Sequence, residues 1–100
     1  MPFLIEAIDK PDSRDLRSQT RAEHLAYLDA NLDRLILAGA TWTDDDQTAT
    51  GSVLVVDVDS RAEAEAFAEN DPYAMAGVFA DVVISRYRVA FLDRTSRLPT

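Results

Sequence analysis

Gly51-Ser52-Val53-Leu54-Val55-Val56-Asp57-Val58 is the stretch on which the fold turns. It is dense in β-branched residues and reads as a strand. Successive side chains of a strand alternate between faces. Val53 and Val55 therefore share one face, and Leu54, Val56 and Val58 the other. A strand apolar on both faces belongs between two covering layers, whereas a half-exposed sheet alternates apolar and polar residues.

Toward the C-terminus, Ser60-Arg61-Ala62-Glu63 has the spacing of a capping box. It predicts a helix through about Glu69, with Ala64, Phe67 and Ala68 facing inward. Asn70-Asp71 breaks that helix. Asp71 then caps a short turn with Pro72 at its first position, where a missing N–H costs nothing, and Gly77 ends it. Asp81 to Phe91 reads as the last strand, with Val83, Ser85, Tyr87, Val89 and Phe91 alternating with Val82, Ile84, Arg86 and Arg88.

Toward the N-terminus, Ala40 to Thr43 reads as a short strand joined to Gly51 by an acidic turn. From about Asp15 to Leu37 the pattern is helical: Leu25, Leu28, Leu32 and Leu35 recur at spacings of three and four. Thr20 with Glu23 suggests a capping box, and Gly39 a C-terminal stop. Phe3 to Ile8 reads as a first strand with Phe3, Ile5 and Ala7 on one face. Asp9-Lys10-Pro11-Asp12-Ser13 is a polar loop.

The order is β-α-β-β-α-β, an α+β, ferredoxin-like arrangement with an antiparallel sheet and two helices on one face. Residues 1–92 form the single expected domain, and residues 93–100 a loose polar tail. Two helices leave the second face of the sheet bare. The economical cover in so short a chain is a second copy, so we expect a homodimer, with higher association left open. Its two sheets would pack as a dimeric α+β barrel, because monomers seldom leave large apolar patches exposed. The alternative is a monomer with a mildly apolar sheet face.

Composition narrows the chemistry. One hundred residues suit one domain. No apolar run approaches the roughly 20 residues that span a bilayer, and Met1-Pro2-Phe3-Leu4-Ile5-Glu6 lacks the features of a signal peptide, so a cytoplasmic location is expected. The absence of cysteine rules out disulfides, thiol catalysis and thiolate metal sites. A net charge of −8 disfavours nucleic acid and anionic membranes as partners. No cofactor or metal is expected. Thr43-Asp44-Asp45-Asp46-Gln47 lacks the alternating spacing of a calcium loop and reads as a solvated turn.

The only histidine, His24, is the one side chain here whose ordinary titration falls near pH 7. It lies at the edge of the apolar face of the first helix, about half the chain from Asp71. If the fold brings the two together they form a His–Asp dyad; otherwise His24 is a rim residue and Asp71 an ordinary cap. Capping needs one carboxylate oxygen, which leaves the second free to meet His24. Arg17 and Arg21 share the side of the helix that carries His24, at spacings of three and four. They would orient an anionic or phenolate ligand or pair with neighbouring acids such as Asp15 and Glu23. Ser52 would point a hydroxyl toward a pocket, without the surroundings of a nucleophilic serine. Trp42 and Tyr73 would supply an aromatic wall, or simply pack.

These elements together resemble the YciI-like (YCII-related) family of the dimeric α+β barrel superfamily. The likeness is carried by the opening strand and Asp9 to Ser13, by Arg14 and Arg17, and by Arg21-Ala22-Glu23-His24-Leu25-Ala26-Tyr27-Leu28. Leu37-Ala38-Gly39, Gly51-Ser52 and Asn70-Asp71-Pro72-Tyr73-Ala74-Met75-Ala76-Gly77-Val78 complete it, so that it covers about Phe3 to Phe91. It implies that His24 and Asp71 are an active-site pair. It also implies kinship with proteins of aromatic degradation, including dehydrochlorinases of chlorinated hydroxyquinols, and more distantly with muconolactone isomerases and cofactor-independent monooxygenases. The polar, acidic Thr43–Thr50 stretch departs from the Pro- and Gly-rich loop usual there.

The expected activity is general acid–base chemistry, isomerisation or elimination, on a small cyclic or phenolic molecule. The alternatives are a non-catalytic ligand-binding or dimerisation domain and, more remotely, an oxygen-using monooxygenase.

Overall fold

The structure, a computed structural model, describes residues 1–99. A four-stranded antiparallel sheet is built from β1 (Phe3–Asp9), β2 (Leu35–Trp42), β3 (Ala49–Val56) and β4 (Phe79–Arg86), in the order β2-β3-β1-β4. Two longer helices, α1 (Arg14–Asp29) and α2 (Arg61–Glu69), and the short α3 (Pro72–Met75) complete the body. This is the expected α+β, ferredoxin-like arrangement. No helix among the described residues is long and apolar enough to cross a membrane.

The core lies between sheet and helices. Phe3 and Ile5 of β1 stand opposite Val56 and Leu54 of β3. With Leu28 of α1 and Ala64, Phe67 and Ala68 of α2 they form one buried cluster. α2 begins as its sequence predicts: Ser60 accepts a hydrogen bond from the Glu63 N–H at 3.2 Å. The Glu63 side chain reaches back one residue further than a standard box, to the N–H of Asp59 at 3.0 Å.

The first helix differs from expectation at both ends. It starts six residues before Thr20, whose hydroxyl instead bonds back to the Leu16 carbonyl at 2.8 Å inside the helix. It stops at Asp29, and a 3₁₀ turn at Leu32–Arg34 leads directly into β2. Leu35, which continues the helical spacing of Leu28 and Leu32, and Leu37, at the expected end of the helix, instead pair with Val56 and Val55 of β3. Gly39 consequently lies inside a strand and caps nothing. Strand pairing with the most apolar strand of the chain outweighs the helical spacing of the leucines.

The last strand also stops early. β4 ends at Arg86, and a small hairpin, β5 (Phe91–Leu92) with β6 (Thr95–Ser96), follows. Its two-residue turn, Asp93-Arg94, has positive φ at both positions, as the right-handed twist of a tight hairpin requires. This hairpin occupies much of the tail expected at 93–100, of which residue 100 lies outside the described residues.

On the outer face of the sheet, Ile8, Leu37 and Val83 are 58, 52 and 48% exposed. Val53 and Val55 stand among them on the same side.

Candidate active site

The site grows from one polar stripe on α1. Its buried residues are Arg17, Thr20, His24 and Leu28, at successive spacings of three and four. Three of these four are polar. Burying polar groups stabilises nothing unless partners await them, and here they do.

Arg17 is held by Asp9 at the end of β1. Its Nε donates to Asp9 Oδ2 at 2.8 Å and its Nη2 to Oδ1 at 3.1 Å, a two-pronged pair in which both side chains are largely buried. Nη2 also donates to the Ser52 hydroxyl at 2.8 Å. Arg17 thus ties α1 to β1 and β3, and neither Asp15 nor Glu23 is its partner. Its guanidinium carbon stands 4.5 Å from the centre of the Tyr73 ring.

His24 meets Asp71. Its Nδ1 lies 2.7 Å from Asp71 Oδ1, with the residues 7% and 1% exposed. The same Oδ1 accepts the Tyr73 backbone N–H at 2.9 Å and so caps α3. The expectation that capping and histidine contact would use separate carboxylate oxygens is therefore corrected: one oxygen does both. An ionised carboxylate only accepts, so Nδ1 carries the hydrogen and a neutral imidazole offers its lone pair at Nε2. Nε2 has no hydrogen-bond partner, yet no buried side-chain nitrogen or oxygen among the described residues is unsatisfied. Nε2 therefore keeps some exposure, and His24 lines the cleft described below.

α3 is fixed at both ends. After Ala76 the chain turns through Gly77 at φ +84°, with Gly77 N–H on the Ala74 carbonyl at 3.1 Å and Val78 N–H on the Tyr73 carbonyl at 3.0 Å. These two bonds make a Schellman stop, which needs a residue at ease with positive φ. The Val78 carbonyl then accepts the Lys10 N–H at 2.8 Å. That bond ties the α3 exit to the loop before α1, and α3 packs on α1. Tyr73 is thereby stacked on the His24 ring, with centroids 4.0 Å apart and planes 18° from parallel. Burial pushes the Tyr73 phenol above its usual range, opposed by the positive charges of Arg17 and Arg21, so it remains a neutral hydrogen-bond donor at neutral pH.

These side chains face a cleft of about 500 Å³ between α1 and the β2–β3 hairpin. Arg17, Arg21, His24, Ser52, Tyr73 and Trp42 all line it, and Asp71 stands behind His24. Trp42, at the end of β2, is 55% exposed and forms an aromatic part of the wall. Arg14, Ser18, Gln47 and Thr48 line it as well. These four, and Asp9 as the partner of Arg17, lie outside the site expected from the sequence. Arg14 had a signal, standing seven residues before Arg21 on one helical face; Gln47 and Thr48 had none. No group of three metal-ligating side chains occurs among the described residues. The arrangement provides one open imidazole nitrogen held in a fixed tautomer, hydroxyls from Ser52 and Tyr73, and arginine side chains beside them.

Comparison with known proteins identifies the family. The sequence profile of the YCII-related domain matches residues 1–88. Protein YciI of Escherichia coli O6:H1 (strain CFT073) is 37% identical over 98 residues, covering 91% of this chain and 100% of the relative. An uncharacterised protein of Haemophilus influenzae is 33% identical over the same length. Among solved structures, the 5-chloro-2-hydroxyhydroquinone dehydrochlorinase of Burkholderia phenoliruptrix AC1100, in complex with 2,5-dihydroxybenzoquinone, superposes with a TM-score of 0.81. It is 37% identical, over 88% of this chain and 94% of that one.

Proposed function

The chain belongs to the YCII-related family, and from that premise we propose that it is a small enzyme that moves a proton on a cyclic or phenolic molecule, with His24 as general base and acid. The observation that carries this reading is the 2.7 Å pair of His24 Nδ1 and Asp71 Oδ1 behind an open Nε2. A buried carboxylate beside an imidazole fixes its tautomer and stabilises the imidazolium that forms when Nε2 takes a proton. The dehydrochlorinase that this chain resembles at 37% identity supports a hydroxylated ring as the substrate.

In such a reaction Nε2 removes a proton from a ring hydroxyl or ring C–H. The electron pair left behind forms a new π bond. In an elimination the imidazolium gives that proton to the ring carbon bearing the leaving group, making it tetrahedral; removal of a second hydroxyl proton then expels the leaving group as an anion with its bonding pair and leaves a quinone, and the imidazolium returns that proton to solvent. In an isomerisation the imidazolium returns the proton at a different atom of the ring. Tyr73 and Ser52 donate hydrogen bonds to ring oxygens, and Trp42 stacks on the ring. Arg17, held by Asp9, keeps Ser52 and Tyr73 in place. No step calls on a cofactor. We infer that the working unit is a homodimer built through the outer face of the sheet.

The test is turnover of His24→Gln on hydroxylated and chlorinated hydroquinones, followed by chloride release and quinone absorbance. Loss of proton transfer lowers the rate about 10²- to 10⁴-fold, with the circular dichroism of the folded protein retained. Equal turnover by the variant would overturn the reading.

A further inference from the structure

The charge of the cleft is opposite to that of the protein around it. The chain carries 18 acidic and 10 basic residues, for a net charge of −8. Sixteen residues line the cleft. A lining drawn at random from this composition would hold about three acids and one or two bases. The actual lining holds no aspartate or glutamate and three arginines, Arg14, Arg17 and Arg21.

The arginines are not equivalent. Arg17 is engaged on both prongs by Asp9, so its charge is compensated. Arg14 and Arg21 form no ion pair among the described residues and are exposed at the cleft. They stand seven residues apart, two turns along the same face of α1. On a strongly acidic protein two unpaired guanidinium groups would ordinarily face neighbouring carboxylates. Here they stand at a concave wall whose lining holds none, Asp9 and Asp71 lying behind it on Arg17 and His24.

We propose that the cleft is an anion-selective site that takes its substrate already ionised, as a small aromatic ring bearing an oxyanion, with Arg21 and Arg14 as the residues that hold the charge. This builds on the reading of the cleft as the substrate site and adds the ionic form of the ligand. The residues of α1 then have separate roles. Arg17 positions Ser52 and Tyr73, Arg14 and Arg21 select the ligand, and His24 moves the proton. A guanidinium fork suits paired oxygens on a planar ring better than a lysine ammonium does.

The experiment compares two ligands of one ring by calorimetry: 2,5-dihydroxybenzoquinone, ionised at neutral pH, and its neutral dimethyl ether. Fluorescence of Trp42, the only tryptophan of the chain, reports occupancy of the cleft independently. The ionised ring binds at least about tenfold more tightly, the preference shrinks with added salt, and Arg21→Gln removes about tenfold of it while binding the ether as wild type does. A panel of benzoate and 4-nitrophenolate against benzamide and 4-nitroanisole shows the same order. Equal affinity for ionised and neutral rings, an anion preference untouched in both Arg21→Gln and Arg14→Gln, or no binding of any anion in the panel would overturn the proposal. His24→Gln separates the two claims. If it keeps the anion preference and full turnover, the catalytic reading fails and the selectivity stands. If it loses turnover in a protein that binds both ring forms alike, the selectivity fails and the catalytic reading stands.

Discussion

Asp71 places a single oxygen between two donors from different parts of the chain, the Tyr73 N–H at 2.9 Å and the His24 ring at 2.7 Å. Its capping role is local and was legible, because Asp before Pro at a helix start needs nothing beyond the sequence. The meeting with His24 spans 47 residues, and only the fold supplies it. The two roles separate by substitution. Asparagine keeps an acceptor oxygen for both donors but removes the charge; alanine removes everything. Asp71→Ala should lose about 1 kcal/mol for the cap and about 1–3 kcal/mol more for the stranded buried imidazole nitrogen. Asp71→Asn should lose less than half as much in urea unfolding, yet turn over well below wild type because the imidazolium has lost its counter-charge. An asparagine variant as unstable as the alanine one, or as active as wild type, would show that this division of roles is wrong.

Elements were legible where one local rule governed them and opaque where two competed. Ser60 and Glu63 start α2 as their spacing requires, and Ala64, Phe67 and Ala68 are its buried face. Leu32 and Leu35 continue the helical spacing of Leu25 and Leu28, yet the chain leaves α1 at Asp29 and commits Leu35 and Leu37 to pairing with β3. Nothing local distinguishes the two outcomes, since the competitor lies across the sheet. Gly51 shows the same dependence. It read as an ordinary strand entry, but it stands opposite Ile8 of β1 and Thr41 of β2. A Cβ there would press well inside contact distance of the Ala7 carbonyl oxygen, which is backbone and cannot turn aside. Gly51→Ala should therefore push β1 and β3 apart and cost about 1–3 kcal/mol, the range of an overpacked interior. Because Ser52 is the next residue and accepts from Arg17 at 2.8 Å, ligand binding should weaken along with the melting temperature. A Gly51→Ala protein that melts and binds like wild type would mean that the strands adjust at no cost.

For the whole molecule, the strand that decided the fold also states what the single chain leaves unfinished. The inner side of the sheet packs its core against α1 and α2 and opens only at the cleft, whereas the outer side shows Ile8, Leu37 and Val83 roughly half exposed around Val53 and Val55. At about 25 cal/mol per Å² of apolar surface, covering such a face outweighs association costs only when the partner is equally apolar and of matching shape. A second copy of the same sheet, related by a two-fold axis, is the partner we propose. The cleft with His24 and Arg21 lies on the helix side of the sheet, so dimerisation through the outer face leaves it open. Leu37→Glu combined with Val83→Glu would set like charges against one another across that axis. The double variant should elute as a monomer in size-exclusion chromatography with light scattering where wild type elutes as a dimer. Its far-ultraviolet circular dichroism should be retained, and its cleft should still bind ring anions. A wild-type chain that remains monomeric at high concentration, or a double variant that dimerises as well as wild type, would place the cover of this face elsewhere.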